Sequence, residues 1–172
     1  MIGLTEKQHK LLPKRPSPGR FGGFVFVAVL SIAFDQWLKL EIVKHFAYGS
    51  FEAVTSFFNL CHVRNTGAAF SFLGDAGGWQ VLFFSLIAIV VSTVILLMLW
   101  RNNHRVFFSL CLTLILGGAL GNMIDRITLG FVIDFLDFHY GNWHWPAFNA
   151  ADIFICCGAA GVVIEELLTK RA

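Results

Sequence analysis

Asp35 and Lys39 stand four residues apart in an otherwise apolar stretch, Asn122 and Asp125 stand three apart near the end of another, and Asn149 and Asp152 stand three apart at the start of a third. Asp134 is a lone charge inside Phe131-Val132-Ile133-Asp134-Phe135. Carboxylates placed in this way could do acid–base chemistry, although taken singly none of them identifies an enzyme. Two Asp held close together cannot both ionise readily, so one keeps its proton as an acid while the other acts as a base. Amide hydrolysis without a metal needs such a pair, a base to activate water and an acid to protonate the leaving nitrogen. On helical spacing Asp35 and Lys39 share a face, and Asp125 and Asp152 each have an amide on their own face. Spacing alone leaves open whether Asp125 or Asp134 partners Asp152.

Each residue also has a plainer reading. Asp35 and Lys39 neutralise one another, as a structural ion pair does. Asp125-Arg126 at a helix end suits an anchor at the membrane interface. Asn149 is a favoured helix cap, and Asp152 in a first turn suits the helix dipole. His9, His45, His62, His104, His139 and His144 show no metal-ligand spacing with a carboxylate. Ser56 and Ser71 have no paired base in sequence. Cys61, Cys111, Cys156 and Cys157 form no CxxC pair; the last three read as small hydrophobes and Cys61 as an outward-facing thiol that could oxidise but has no obvious partner, so neither a disulfide framework, a metal site nor a cofactor is expected.

The elements that position these groups follow from composition. The chain has 172 residues, of which 56% are hydrophobic and only 14% charged, well below the charge of a soluble domain. Its 19 Phe and 5 Trp suit lipid-facing surfaces and interfacial belts, and a net charge of +2 gives no argument for a nucleic-acid partner. A stretch of about 18 apolar residues crosses a bilayer core. Four qualify, at about 21–42, 79–100, 106–124 and 150–168. Of the 13 Lys and Arg, nine lie in the N-terminal tail, the Arg101–Arg105 turn or the C-terminal tail, the others being Lys39, Lys44, Arg64 and Arg126. Four crossings put those three segments on one side, which the positive-inside rule makes cytoplasmic. Asp35 then lies about 22 Å beyond Arg20, Asp125 about 30 Å beyond Arg105, and Asp152 about 27 Å from Lys170. Three helices with independent starting points thus bring a carboxylate to one outer level.

Two segments face outward. His45–Gly78 is rich in aromatic and β-branched residues, with turns at Tyr48-Gly49-Ser50 and Gly74–Gly78, and predicts a small extracytoplasmic sheet. Arg126–Asn149 mixes aromatics with charges and predicts an interfacial loop or helix. The tail around Lys14–Gly19 reads as disordered. The first span, with its basic flank and Ser31-Ile32-Ala33, also resembles a cleavable leader, but cleavage would leave three spans and put a basic end outside. An uncleaved anchor is the expectation. The fold expected is therefore an α-helical integral membrane protein of four transmembrane helices. Residues 1–20 form a cytoplasmic basic tail and 21–172 one membrane-embedded domain.

These residues resemble the lipoprotein signal peptidase family, signal peptidase II. The likeness runs from Asp35-Gln36-xx-Lys39 through Asn65-Thr66-Gly67-Ala68-Ala69-Phe70-Ser71 and Gly117-Gly118-Ala119-Leu120-Gly121-Asn122-xx-Asp125-Arg126. It continues with Val132-Ile133-Asp134-Phe135 and Pro146-Ala147-Phe148-Asn149-x-Ala151-Asp152. Five motifs in order over four spans are far more specific than any one of them. The resemblance implies an aspartic endopeptidase with the dyad Asp134 and Asp152. Asp35, Lys39, Asn65, Gly67, Asn122, Asp125, Arg126, Asn149 and Ala151 would shape or support its site. It further implies diacylglyceryl-modified prolipoproteins as substrates, cut just before the lipidated cysteine, and inhibition by globomycin-type antibiotics. The setting would be the bacterial inner membrane, among its lipids, as a monomer with the active site on the periplasmic side.

Two other classes compete. A small proton- or ion-coupled transporter would also carry intramembrane carboxylates. Yet the acids cluster at one face, and Glu165-Glu166 near the inner end has no connecting acid. A non-catalytic scaffold would leave the five motifs unexplained.

Overall fold

The computed structural model describes residues 15–67 and 78–169. The tail to residue 14, part of the motif at 65–71, most of the turn expected at 74–78, and Lys170 lie outside the described residues.

Helix α1 is Pro18–His45, α2 is Trp79–Asn102, α3 is Val106–Leu129 and α4 is Ala150–Thr169. The first helix starts earlier than the apolar run predicts. Ser17 caps it, its hydroxyl accepting from Arg20 N, and Pro18 supplies a fixed φ at the first position. Pro18 and Gly19, read as disordered from composition, are therefore helical. Buried Asn103, in the α2–α3 turn, pins that start by bonding both the N–H and the carbonyl of Ser17.

Among the described residues α1, α2 and α3 are long and apolar enough to cross a membrane. Helix α4 has 20 residues and is apolar through its middle, but Asp152, Glu165 and Glu166 keep it outside that description. Side chains such as Leu82, Leu86, Val90 and Leu97 on α2 and Val163, Ile164 and Leu167 on α4 are exposed, as expected of surfaces that meet lipid. Helix α3 is the central element, packed against the other three. Its glycines make that possible. A Cβ at Gly117 would lie 2.7 Å from Ser31 Cβ on α1, and one at Gly118 would collide with the Ala151 carbonyl on α4. Phe24, Ala28, Ile95, Leu99, Phe108, Leu112 and Leu116 form the core between α1, α2 and α3.

A four-stranded antiparallel sheet covers the other end of the bundle. Its strands are β1 Phe51–Thr55, β2 Phe58–Asn65, β3 Val132–Tyr140 and β4 Trp143–His144, in spatial order β1-β2-β3-β4. The sheet expected from His45–Gly78 is thus joined by the segment expected as an interfacial loop or helix, which is β-structured instead. The reason is legible in Val132–Tyr140, an apolar and aromatic run interrupted only by Asp134, Asp137 and His139, whose first six residues strand pairing largely buries on both faces. Gly141, at φ 58°, turns it back into β4. The β2–β3 register sets Val63 opposite Asp134 and Asn65 opposite Val132. Ile42, Ile133, Phe135 and Ala150 pack where α1, β3 and α4 meet, tying sheet to bundle.

Candidate active site

The carboxylates fall into two neighbouring groups. In the first, Lys39 Nζ lies 2.8 Å from Asp35 Oδ2 and 2.9 Å from Asp125 Oδ2, and donates to Asn122 Oδ1 at 2.9 Å. All three of its protons are used, at 1% exposure. Asp35 Oδ1 accepts from Ala151 N at 2.9 Å, and Asp125 Oδ2 from Ile133 N at 3.2 Å. This ionic knot therefore joins α1, α3, α4 and β3. Gly121 makes room for it, since a Cβ there would stand 2.8 Å from Asp35 Oδ2.

In the second group, Asp134 projects from β3 and Asp152 from the first turn of α4, with amides on and between them. Asn149 and Asp152 cap α4 reciprocally. Asn149 Oδ1 accepts from Asp152 N at 3.0 Å, and Asp152 Oδ2 accepts from Asn149 N at 3.1 Å. Because its oxygen is committed there, Asn149 presents Nδ2 to Asp134 Oδ1 at 2.7 Å. Asn65 is oriented in the same way. Its oxygen accepts from Gly67 N, so its Nδ2 donates to Asp134 Oδ2 at 3.0 Å. Lys39 fixes Asn122, for an ammonium can only donate. The Asn122 oxygen must face Lys39, and its Nδ2 donates to Asp152 Oδ1 at 2.8 Å. Asn149 Nδ2 also reaches Asn122 Oδ1 at 3.1 Å, closing a bridge from Asp134 through two amides to Asp152.

No cation is paired directly with this second pair among the described residues. Asp134 is 2% exposed, and burial together with the charge of Asp152 pushes its carboxyl up to about 7, against the hydrogen bonds from Asn65 and Asn149. Arg126 stands nearby. It donates to the carbonyls of Gly67 and Asn122, its guanidinium sits 5.1 Å from the Phe84 ring centroid, and its buried Nε has no hydrogen-bond partner among the described residues.

A cavity of about 690 Å3 opens onto Asp134 and Asp152. Asn65, Asn122 and Arg126 give it a polar end, while Trp145–Phe148 and the Ile153, Cys156 and Cys157 side of α4 give it an apolar wall. Every site residue expected from sequence lies in this assembly, but in different positions. Asp134, Asp152, Asn65, Asn122 and Arg126 line the cavity, Asn149 and Gly67 orient its side chains, and Asp35, Lys39, Asp125 and Ala151 form the knot behind it.

Two residues escaped the sequence reading. Gln36 donates to Asp125 Oδ1 at 2.7 Å and to the Gly121 carbonyl at 3.2 Å, bracing the knot. A lone amide inside an apolar span was the signal for it. Asp137, 2% exposed, accepts from Asn59 Nδ2 at 2.7 Å and meets His144 Nδ1 at 2.9 Å. Reading β3 as a strand would have separated it from Asp134, because positions three apart point to opposite faces.

The profile of a family described as signal peptidase (SPase) II matches residues 27–168. Lipoprotein signal peptidases of Burkholderia mallei (strain SAVP1) and Paraburkholderia phymatum are each 50% identical over 157 residues, which is 91% of this chain and 95% of theirs. A bacterial membrane enzyme solved by the in meso method at 2.3 Å resolution superposes with a TM-score of 0.78 at 29% identity, covering 92% of this chain and 94% of that one. A second such structure, at 1.9 Å resolution, gives a TM-score of 0.75 at 29% identity over 91% and 97% of the two chains.

Proposed function

Since the chain belongs to the signal peptidase II family, we propose that it removes the signal peptide from diacylglyceryl-modified prolipoproteins, with Asp134 and Asp152 as an aspartic dyad. The observation that carries the catalytic assignment is the bridge Asp134–Asn149–Asn122–Asp152 at the head of α4, facing the cavity. Near neutral pH the dyad holds one proton, and Asp134, raised to about 7, is its holder. Asp152, as carboxylate, takes a proton from water as its oxygen attacks the scissile carbonyl carbon. Asp134 donates its proton to the departing nitrogen, and the C–N bond breaks. Arg126, whose side chain lines the cavity, supports binding of a substrate carbonyl beside the dyad. The apolar wall suits the acyl chains of the lipidated cysteine, which enter between Trp145–Phe148 and α4 from the surrounding lipid.

All four helices cross the inner membrane in this reading, α4 with Asp152 at its outer end and Glu165-Glu166 at its inner end, where Arg105 neutralises them. Residues 1–20 and both termini are cytoplasmic, and 21–172 form one peptidase domain. The sheet and the site face the periplasm. The enzyme works as a monomer without a cofactor, and globomycin-type compounds occupy the same cavity. A transporter has no support in the family match, and among the described residues no acid links the site to Glu165-Glu166.

The test is cleavage of a diacylglyceryl-modified lipobox peptide in detergent by folded Asp134→Asn, Asp152→Asn and the double variant. Residues working as a unit lose activity non-additively, so each single variant should be almost as inactive as the double. Retention of most activity by Asp134→Asn, with its loss in Asp125→Asn, would move the dyad to Asp125 and Asp152.

A further inference from the structure

Asp137 is a buried carboxylate outside the dyad and the knot, and its bonds lead to the cavity wall. Its carboxylate accepts from Asn59 Nδ2 on β2 at 2.7 Å, and both its oxygens lie 2.9 Å from His144 Nδ1 on β4. A carboxylate only accepts, so Nδ1 of His144 carries the hydrogen. The imidazole is further fixed by His139, directly opposite across the β3–β4 hairpin, whose ring stacks on it at 5.0 Å. His144 is followed by Trp145-Pro146-Ala147-Phe148, the apolar wall, and then by Asn149, which orients Asp134. That wall is thus pinned at both ends by side chains. Between them, Trp145 N bonds the Phe138 carbonyl and Phe148 pairs with Leu136.

The two pins differ in what they reach. Asn149 touches the dyad, whereas Asp137 projects from the opposite face of β3 to Asp134 and reaches the site only through the wall. We infer that Asp137 and His144 are positioning residues that hold Trp145–Phe148 against the cavity and so set how tightly the acyl-bearing end of the substrate is bound. This inference rests on the peptidase function proposed above. Loosening the pin frees the apolar wall while the bonds of Asn149 to Asp134 and Asp152 stay in place.

His144 is half exposed, so its variants test the pin with little risk to folding. Cleavage of the lipidated peptide should show KM raised about five- to tenfold in His144→Ala, the worth of an ordinary, partly solvated hydrogen bond, with kcat nearly unchanged. His144→Asn places an amide N–H near the lost Nδ1 and should return KM most of the way. The exchange of Asn59→Asp with Asp137→Asn is a second rescue. The new carboxylate at 59 accepts from the new amide at 137, whose oxygen accepts from His144. Asp137→Asn alone takes the charge out of the bond and keeps it only if His144 moves its hydrogen to Nε2, so it should raise KM less than His144→Ala does. A fall in kcat at constant KM, equal KM in all variants, or failure of both rescues would overturn the inference. No cleavage by the unaltered chain would instead overturn the peptidase reading itself.

Discussion

The knot and the dyad use the same side chains for opposite ends. Asp35 and Asp125 share Lys39, whose ammonium lies within 2.9 Å of both. Asp134 and Asp152 share only amides, Asn149 and Asn122. A cation between two carboxylates cancels their repulsion and turns them into a cross-link among helices. Neutral amides position two carboxylates without cancelling their charge, so burial and mutual repulsion favour one shared proton. Asn122 belongs to both groups, its oxygen on Lys39 and its nitrogen on Asp152. Under the proposed function, the structural pair thereby orients the reactive one.

The largest effect should separate the two pairs by what fails. Asp134→Asn or Asp152→Asn should lower the cleavage rate by ~10^3 to 10^4 while the thermal midpoint in detergent barely moves. Asp35→Asn should cost stability at least as much as turnover, and a well-folded, dead variant would place Asp35 in the chemistry. Next comes Lys39→Met, which leaves two buried carboxylates without their cation. It should destabilise the fold by about 3 to 5 kcal/mol, read from thermal unfolding, and Asp35→Asn added to it should return part of that loss. Asn122→Ala removes the link between the groups and leaves part of Lys39 unsatisfied. A loss of about 1 to 3 kcal/mol in stability is expected, together with a fall in kcat, and a change in only one of the two would uncouple the groups.

The smallest effect is one of pH. Asp134 is raised from 3.8 to about 7, so between those values the folded chain holds a proton that the unfolded chain has released. Stability from this group therefore falls as pH rises through that window and is flat on either side. Asp134→Asn should flatten the slope between pH 4 and 7 in unfolding measurements. An unchanged slope would assign it to another group.

These groups were unequally legible in the sequence. The i,i+4 spacing of Asp35 and Lys39 announced an ion pair, but nothing in one helix says that Asp125 completes it from another. Asn149 and Asp152 declared a helix cap, and the cap is formed; the same amide also reaches Asp134, a contact that depends on where β3 lies. The charges of the segment holding Asp134 suggest an interfacial loop or helix and obscure an apolar run that a strand buries on both faces. Asp137 is hidden for the same reason, since its partners Asn59 and His144 come from two other strands. The charge of α4 had the reverse effect, with Asp152, Glu165 and Glu166 interrupting at its ends what composition had read as a plain span.

A shared proton is what sets Asp134 and Asp152 apart from the knot, and infrared difference spectra of the folded protein across pH measure it directly. One protonated carboxyl band should disappear with a midpoint near pH 7, be absent in Asp134→Asn, and persist in Asp35→Asn. In Asp152→Asn its midpoint should fall, since the charge that helps raise Asp134 has gone. A band that survives Asp134→Asn and vanishes in Asp35→Asn would put the shared proton in the knot and contradict the assignment of the dyad.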